Sequence, residues 1–420
     1  MLELRLFDDD TTSLVKKLYS RGVHNADKLV NSVRSFNVAR KRLQCRLDSV
    51  LCGLNNDAKK FEESICGGIN ERLRYDIKSK KCLSKQLKDE LTQIEQELKE
   101  MLYNIPNVPN NKVPIGKDSA DNEVVFQTEI PYVNNKVPHY ELIKKFDIID
   151  FQLGNKLTGA GFPVYKGCGA KLQRALVNFF LDEAVSIGFN EYELPILCNK
   201  DSFYGTGQLP DKEQQMYSVS GGFYMIPTAE VPLTNMYRDV VVDEVTLPIR
   251  LTGYTPCFRR EAGSWGKDVR GLNRLHQFDK VEIVEIVKQE ESYTVLEEMR
   301  RYVEGLVQKL ELPYRVLALC TGDLGFNSAF TYDIEVYSVG QGMWLEASSI
   351  SNFETYQSNR LNLKYRKVDG NKILAHTLNG SALALPRVMA ALIELNYDGE
   401  KIHIPGVLKK YTGFDYLCMP

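Results

Sequence analysis

The chain has 420 residues, 43% of them hydrophobic and 26% charged, which is the composition of an ordinary folded protein with room for more than one domain. A formal net charge of −2 excludes a uniformly basic nucleic-acid binder, so any such surface must be a local patch. No apolar run approaches bilayer-spanning length. The acidic start MLELRLFDDDTT lacks the basic flank and apolar core of an export signal, and this predicts a cytoplasmic protein with no membrane association.

The nine cysteines contain no C-x-x-C and the five histidines no H-x-x-x-H. Neither a disulfide framework nor a structural zinc site is expected, and a reducing compartment fits.

Two stretches near the N-terminus carry apolar residues at coiled-coil spacing. Phe36, Leu43 and Val50 fall seven apart, as do Leu47, Leu54 and Phe61, and the two sets are offset by four. Arg40 and Asp57 interrupt that seam. Leu87, Leu91, Ile94, Leu98 and Met101 then step by four, three, four and three. Cys66-Gly67-Gly68 between them is a candidate reversal point, since paired glycines accept the backbone angles of a tight turn. The pattern predicts a long antiparallel helical hairpin. Its surface is rich in base: Arg40, Lys41, Arg42, Arg46, Lys59, Lys60, Arg72, Arg74, Lys78, Lys80, Lys81, Lys85 and Lys88. By composition, RNA binding and a solvated coiled-coil or dimerisation surface remain equally open.

Two prolines in Asn104–Asn111 end the hairpin. The predicted organisation is an N-terminal domain over 1–104, a polar linker over 105–135 and a mixed α+β domain over 136–420. In that last part, helix is expected at 169–187, 290–310 and 382–394. Strands are expected at 247–260, 275–287, 331–336 and 343–350. Strands separated by irregular loops suggest an antiparallel sheet with flanking helices. Neither G-x-G-x-x-G nor G-x-x-x-x-G-K-[ST] occurs, so Rossmann and P-loop nucleotide sites are unsupported.

Four constellations can carry chemistry. Cys257-Phe258-Arg259-Arg260-Glu261-Ala262-Gly263-Ser264, followed by Leu275–Glu282, reads as strand, loop, strand. Arg259 can clamp a carboxylate or phosphate, Glu261 can bond an amine, and Phe278 can stack on a purine. A salt-bridged surface hairpin is the competing local reading. Thr228-Ala229-Glu230 can hold an ammonium group or simply begin a helix. Glu346-Ala347-Ser348-Ser349, read as lying at a strand end, offers hard oxygen ligands suited to Mg²⁺ shared with phosphates, or is merely a polar strand end. Asn379–Arg387 joins small residues to an arginine on the way into a helix, which a glycine turn also explains.

Order and joint presence decide between these readings. The Phe-Arg-x-Glu hairpin resembles motif 2 of class II aminoacyl-tRNA synthetases, Asn379–Arg387 resembles motif 3, and Gly188–Pro195 resembles motif 1, whose proline lies at the dimer interface of that class. Gly205-Thr206-Gly207-Gln208-Leu209-Pro210, Thr228-Ala229-Glu230, His276–Glu282 and Asn379-Gly380-Ser381 are similar to signatures of the bacterial-type seryl-tRNA synthetase family and follow its order. So do Ile105-Pro106-Asn107 and Val113–Lys117.

The resemblance implies ATP-dependent activation of L-serine and its transfer to tRNA(Ser), and to tRNA(Sec) where that tRNA exists, by a homodimer whose hairpin reaches the long variable arm of the tRNA. It implies that Arg259 bridges the serine carboxylate and the α-phosphate. Glu261 would hold the adenine amino group, Phe278 would stack on adenine, and Arg387 would bind the γ-phosphate, with Arg260, Ala347 and Ser348 completing the ATP site. Thr228, Ala229, Glu230, Arg259, Glu282 and Ser381 would hold serine, and Glu346 and Ser349 would bind Mg²⁺. The sequence departs from the family pattern at Ala382 and Pro386, where glycine is usual, and at Arg260, where a small polar residue is frequent. Two related readings are a synthetase-like enzyme that loads a carrier protein and a non-catalytic tRNA-binding homologue. The first would lack the arm and use zinc ligands. The second would have lost Arg259, Glu261, Glu346 or Arg387.

Overall fold

A computed structural model describes residues 1–64, 71–212, 214–261 and 270–419. The proposed reversal at Cys66-Gly67-Gly68 and the loop residues Ala262-Gly263-Ser264 lie outside the described residues. The chain divides into two compact units, Leu2–Pro106 and Asn107–Pro420, with Met1 belonging to the second.

The first unit is dominated by two helices, Ala26–Ser64 and Glu71–Tyr103. At 1.5 Å per residue the 39-residue helix runs roughly 58 Å. The helices zip together through Leu47, Leu87 and Leu91, with Leu43, Val50, Leu51 and Leu83 packed around them. Asp57, which interrupts the apolar seam, meets Lys80 of the other helix at 2.6 Å. Residue numbers of facing positions (57 with 80, 47 with 91) sum to nearly the same value, as an antiparallel pair requires. Arg40, the other interruption, turns to the Asn37 Oδ1 of its own helix at 3.3 Å. Of the basic residues expected on this hairpin, Arg40 and Lys80 are half-buried and the others are exposed.

The second unit is built on an eight-stranded sheet. Its spatial order is Glu123–Gln127, Tyr314–Ala318, Phe330–Ser338, Met343–Asn352, His376–Ala384, Gln277–Val287, Ile249–Phe258 and Asn190–Glu191. Neighbours are antiparallel except Asn190–Glu191, which runs parallel to Ile249–Phe258. Glu123–Gln127, within the stretch read as linker, supplies one edge strand.

Helices Gly167–Ser186, Ser292–Lys309 and Leu385–Leu395 match the expected amphipathic segments apart from their ends. The third differs at its start: 382–384 belongs to strand His376–Ala384, which sequence periodicity did not reveal. Gly380, Ser381 and Ala382 are small because the strand is buried between two neighbours. A Cβ on Gly380 would meet Ile350, Met299 and Ile283 at 3.3–3.5 Å. The helix begins only at Leu385, with Pro386 in its first turn, where no intrahelical donor is lost.

Side chains alternate across a strand, so the sheet has two chemical faces. Val281 and Ile283 point into the main core with Ile334, Ile350, Ala382, Leu296 and Met299. Phe278, Lys280 and Glu282, at even positions of the same strand, point the other way and line a cavity.

Candidate active site

The cavity holds about 540 Å³, a volume typical of small-molecule sites. Four central strands floor it. Cross-strand register places Glu282 opposite Ser381, Asn379 opposite Ser351, Ser351 opposite Thr331, and Ser349 opposite Asp333. The polar alternation of these strands therefore assembles a hydroxyl- and carboxylate-rich floor from segments up to a hundred residues apart.

Of the residues expected from sequence, Thr228, Glu230, Arg259, Glu261, Phe278, Glu282, Glu346, Ala347, Ser348, Ser349, Ser381 and Arg387 all line this one cavity. Ala229 and Arg260 do not. Ala229 is fully buried against Leu233, Leu251 and Val284, and Arg260 is exposed, its backbone N–H donating to the Gln215 carbonyl at 2.9 Å. Glu346–Ser349, expected at a strand end, sits mid-strand within Met343–Asn352. Thr228-Ala229-Glu230 begins a helix, as its local alternative had it: Glu230 opens a short helix and Thr228 Oγ1 accepts from the Glu230 N–H at 3.2 Å, while both side chains also face the cavity.

One end is a buried charged pocket. Lys280 Nζ lies 2.6 Å from Glu282 Oε2 and donates to Thr228 Oγ1 at 3.0 Å. Asn379 Nδ2 donates to Glu282 Oε1 at 3.0 Å. Burial raises the Glu282 carboxyl above its ordinary range, against the opposing pull of Lys280. Glu230 is pushed up to about 7, first by burial; a hydrogen bond from Gln357 opposes the rise and the Glu282 charge reinforces it. Gln357 Nε2 donates to Glu230 Oε1 at 2.5 Å and to the Thr206 carbonyl at 3.1 Å. Lys280, Asn379 and Gln357 were not singled out for roles from sequence. Lys280 is a plain lysine in a β-strand, and only its even position with Phe278 and Glu282 signals that it faces inward.

Further along the cavity lie the arginines. The Arg259 guanidinium lies over the Phe278 ring, 5.3 Å from its centroid. Arg274 donates to Glu261 Oε2 at 2.8 Å. Arg387 donates through Nε to the Asn273 carbonyl at 3.1 Å and through Nη1 to the Glu346 carbonyl at 2.7 Å. Asp333 is a further carboxylate here, missed from sequence because an acid in a strand ordinarily faces solvent. Burial and then the Glu346 charge hold its carboxyl well above the usual range, and its Oδ1 is buried without a hydrogen-bond partner. Among the described residues no group of three or more His, Cys, Asp and Glu side chains is gathered that could hold a metal by itself.

Comparison with known proteins gives this arrangement its family. Residues 1–109 match the model of the seryl-tRNA synthetase N-terminal domain, and residues 218–396 match that of the class II tRNA synthetase core domain (G, H, P, S and T). The serine–tRNA ligase of Salinibacter ruber is 42% identical over 422 residues, covering 99% of this chain and 98% of that one. The chain belongs to the seryl-tRNA synthetase family. The serine–tRNA ligase of Akkermansia muciniphila is 41% identical over 426 residues, covering 99% of this chain and 98% of its own. The crystal structure of the seryl-tRNA synthetase from Pyrococcus horikoshii complexed with ATP superposes with a TM-score of 0.91 at 30% identity, over the full length of both chains. The class II sheet and the N-terminal helical hairpin expected from sequence are thus the family's fold.

Proposed function

We propose that this chain is a serine–tRNA ligase: it condenses L-serine with ATP to seryl-adenylate and pyrophosphate, then passes the seryl group to the terminal hydroxyl of tRNA(Ser), and of tRNA(Sec) where that exists. One observation carries the residue roles. Twelve of the fourteen residues expected from sequence open onto a single cavity, which gathers buried carboxylates and arginines together.

The serine ammonium group is held by Glu230 and Thr228, and its hydroxyl by Glu282 and Ser381. Alanine would leave those buried groups unpaired, a penalty that supports discrimination of roughly 10⁴ or more. Lys280 and Asn379 keep Glu282 in register for that contact. Arg259 reaches both the serine carboxylate and the α-phosphate. Phe278 stacks on adenine, Glu261 accepts from the adenine amino group, and Arg387 meets the γ-phosphate.

The serine carboxylate oxygen attacks the α-phosphorus, a new O–P bond forms, and the bond to the bridging oxygen breaks as pyrophosphate leaves with its electron pair. No side chain becomes covalently attached. Arg259 and Arg387 act by position and charge, because their guanidinium groups face the oxygens on which negative charge grows.

Mg²⁺ fits the part of the cavity lined by Glu346, Ser349 and Asp333. Glu346, Ser349 and the partnerless Oδ1 of Asp333 are hard oxygen donors, too few to saturate an octahedral ion, as expected where nucleotide phosphates complete the shell. Bound there, the ion would neutralise phosphate charge. The exposed bases of the hairpin supply the local positive patch that the near-neutral chain otherwise lacks, which suits the variable arm of a tRNA. A homodimer in a cytoplasmic setting fits the family and the exposed Pro195. Among the described residues no helix is long and apolar enough to cross a membrane.

The test is serine-dependent exchange of labelled pyrophosphate into ATP, measured across all twenty amino acids. Exchange should be greatest with serine and fall by orders of magnitude with alanine. Folded protein showing no serine-dependent exchange would overturn the reading.

A further inference from the structure

Arg387 is not aimed by the cavity alone. Its Nε bonds the carbonyl of Asn273, in the turn Gly271–Arg274, and that turn hangs from a buried histidine outside the cavity lining. His139 is completely buried, and its Nε2 accepts the backbone N–H of Leu272 at 2.9 Å. An Nε2 that accepts must leave the ring proton on Nδ1, which lies 2.8 Å from Glu394 Oε1. Glu394, equally buried, also takes the His139 N–H at 2.7 Å, the Gly340 N–H at 3.0 Å and the Ser338 hydroxyl. Gln341 also ties this turn, accepting from Asn273 Nδ2 at 2.9 Å, and its Nε2 lies 3.3 Å from His139 Nδ1. Gly271 has φ +66°, and a Cβ there would lie 2.2 Å from His139 Nε2, so the turn rests directly on the ring.

We infer that His139, oriented by Glu394, is a positioning residue for the ATP site: its Nε2 fixes the Leu272–Asn273 backbone and thereby the guanidinium of Arg387. Glu394 lies two helical turns beyond Arg387 on the same helix, Leu385–Leu395, so the carboxylate that sets the histidine's tautomer and the arginine aimed through it move as one body. The inference rests on Arg387 being the phosphate contact proposed above.

The two ring nitrogens can be separated. In His139→Gln the side-chain oxygen reaches the Nε2 position and keeps an acceptor for Leu272. In His139→Asn the amide reaches only the Nδ1 position, keeps the donor toward Glu394 and loses that acceptor. In pyrophosphate exchange with the full-length enzyme, H139N should raise the KM for ATP about tenfold, the scale of one lost buried hydrogen bond, while the KM for serine stays within about twofold. H139Q should recover most of that loss. Gly271→Ala, whose Cβ would press on the His139 ring and push the turn away from it, should also raise the KM for ATP selectively. A purely structural role predicts that H139N and H139Q lose thermal stability alike and that both KM values move together; either result overturns the inference. Arg387→Ala separates the two levels. If it leaves the KM for ATP unchanged, the phosphate assignment fails and the inference with it. If it raises the KM while H139N does not, the inference fails alone.

Discussion

Glu230 illustrates how burial sets the conditions under which this site can work. Its carboxyl is raised to about 7, with burial the largest cause, so in the free protein it is neutral below that pH and charged above it. Only the charged form attracts the serine ammonium. For exchange at saturating ATP, kcat/KM for serine should therefore fall about tenfold per pH unit below about 7 and level off above it, since kcat/KM reports the free enzyme's ionisations. At saturating serine, kcat/KM for ATP should lack that step. A flat serine profile from pH 6 to 8 would show that a charged Glu230 does not meet the ammonium. Glu282 differs in its partners: Lys280 at 2.6 Å and Asn379 at 3.0 Å face its two oxygens.

At the scale of elements, the hairpin and the sheet draw on separate residues. Every residue lining the cavity lies between Gln208 and Arg387, and the main core beneath it runs from Val113 to Leu417. The hairpin helices close on their own leucine cluster. Removing Asn31–Met101 should accordingly leave serine-dependent exchange within about twofold while lowering kcat/KM for tRNA by roughly a hundredfold or more, as expected when several phosphate contacts are lost together. Both are measured on one preparation by exchange and aminoacylation assays. Undiminished charging without the hairpin would remove its assigned role.

For the whole molecule, charge is balanced but unevenly placed. A net charge of −2 gives no general attraction to RNA, so tRNA affinity must come from local bases whose pairing with phosphate releases counterions. Raising salt from about 50 to 200 mM should increase the KM for tRNA roughly tenfold or more, whereas the KM for serine, whose contacts are buried, should change little. Equal sensitivity of the two would place the tRNA contacts elsewhere.

Much of this protein could be read from residues in order. Heptad spacing is local, so Leu47, Leu87 and Leu91 declared a helical pair. The Phe-Arg-x-Glu hairpin and Thr228-Ala229-Glu230 are contiguous, so they could be put forward as candidates before any fold was known. Strand His376–Ala384 was hidden because its small residues are selected by two neighbouring strands rather than by any period of their own. Lys280, Asp333 and Gln357 were hidden for a related reason: each is an ordinary polar residue until register and burial bring a partner opposite it. His139 is the extreme case, since its significance lies in Leu272 and Glu394, 133 and 255 positions away. Sequence alone determined the family and the hairpin and brought forward the residues proposed to touch substrate, because those signals are carried by spacing along one segment. Tertiary structure alone decided which groups orient them, because a hydrogen bond is set by distance in space, which distant segments acquire only when the sheet closes.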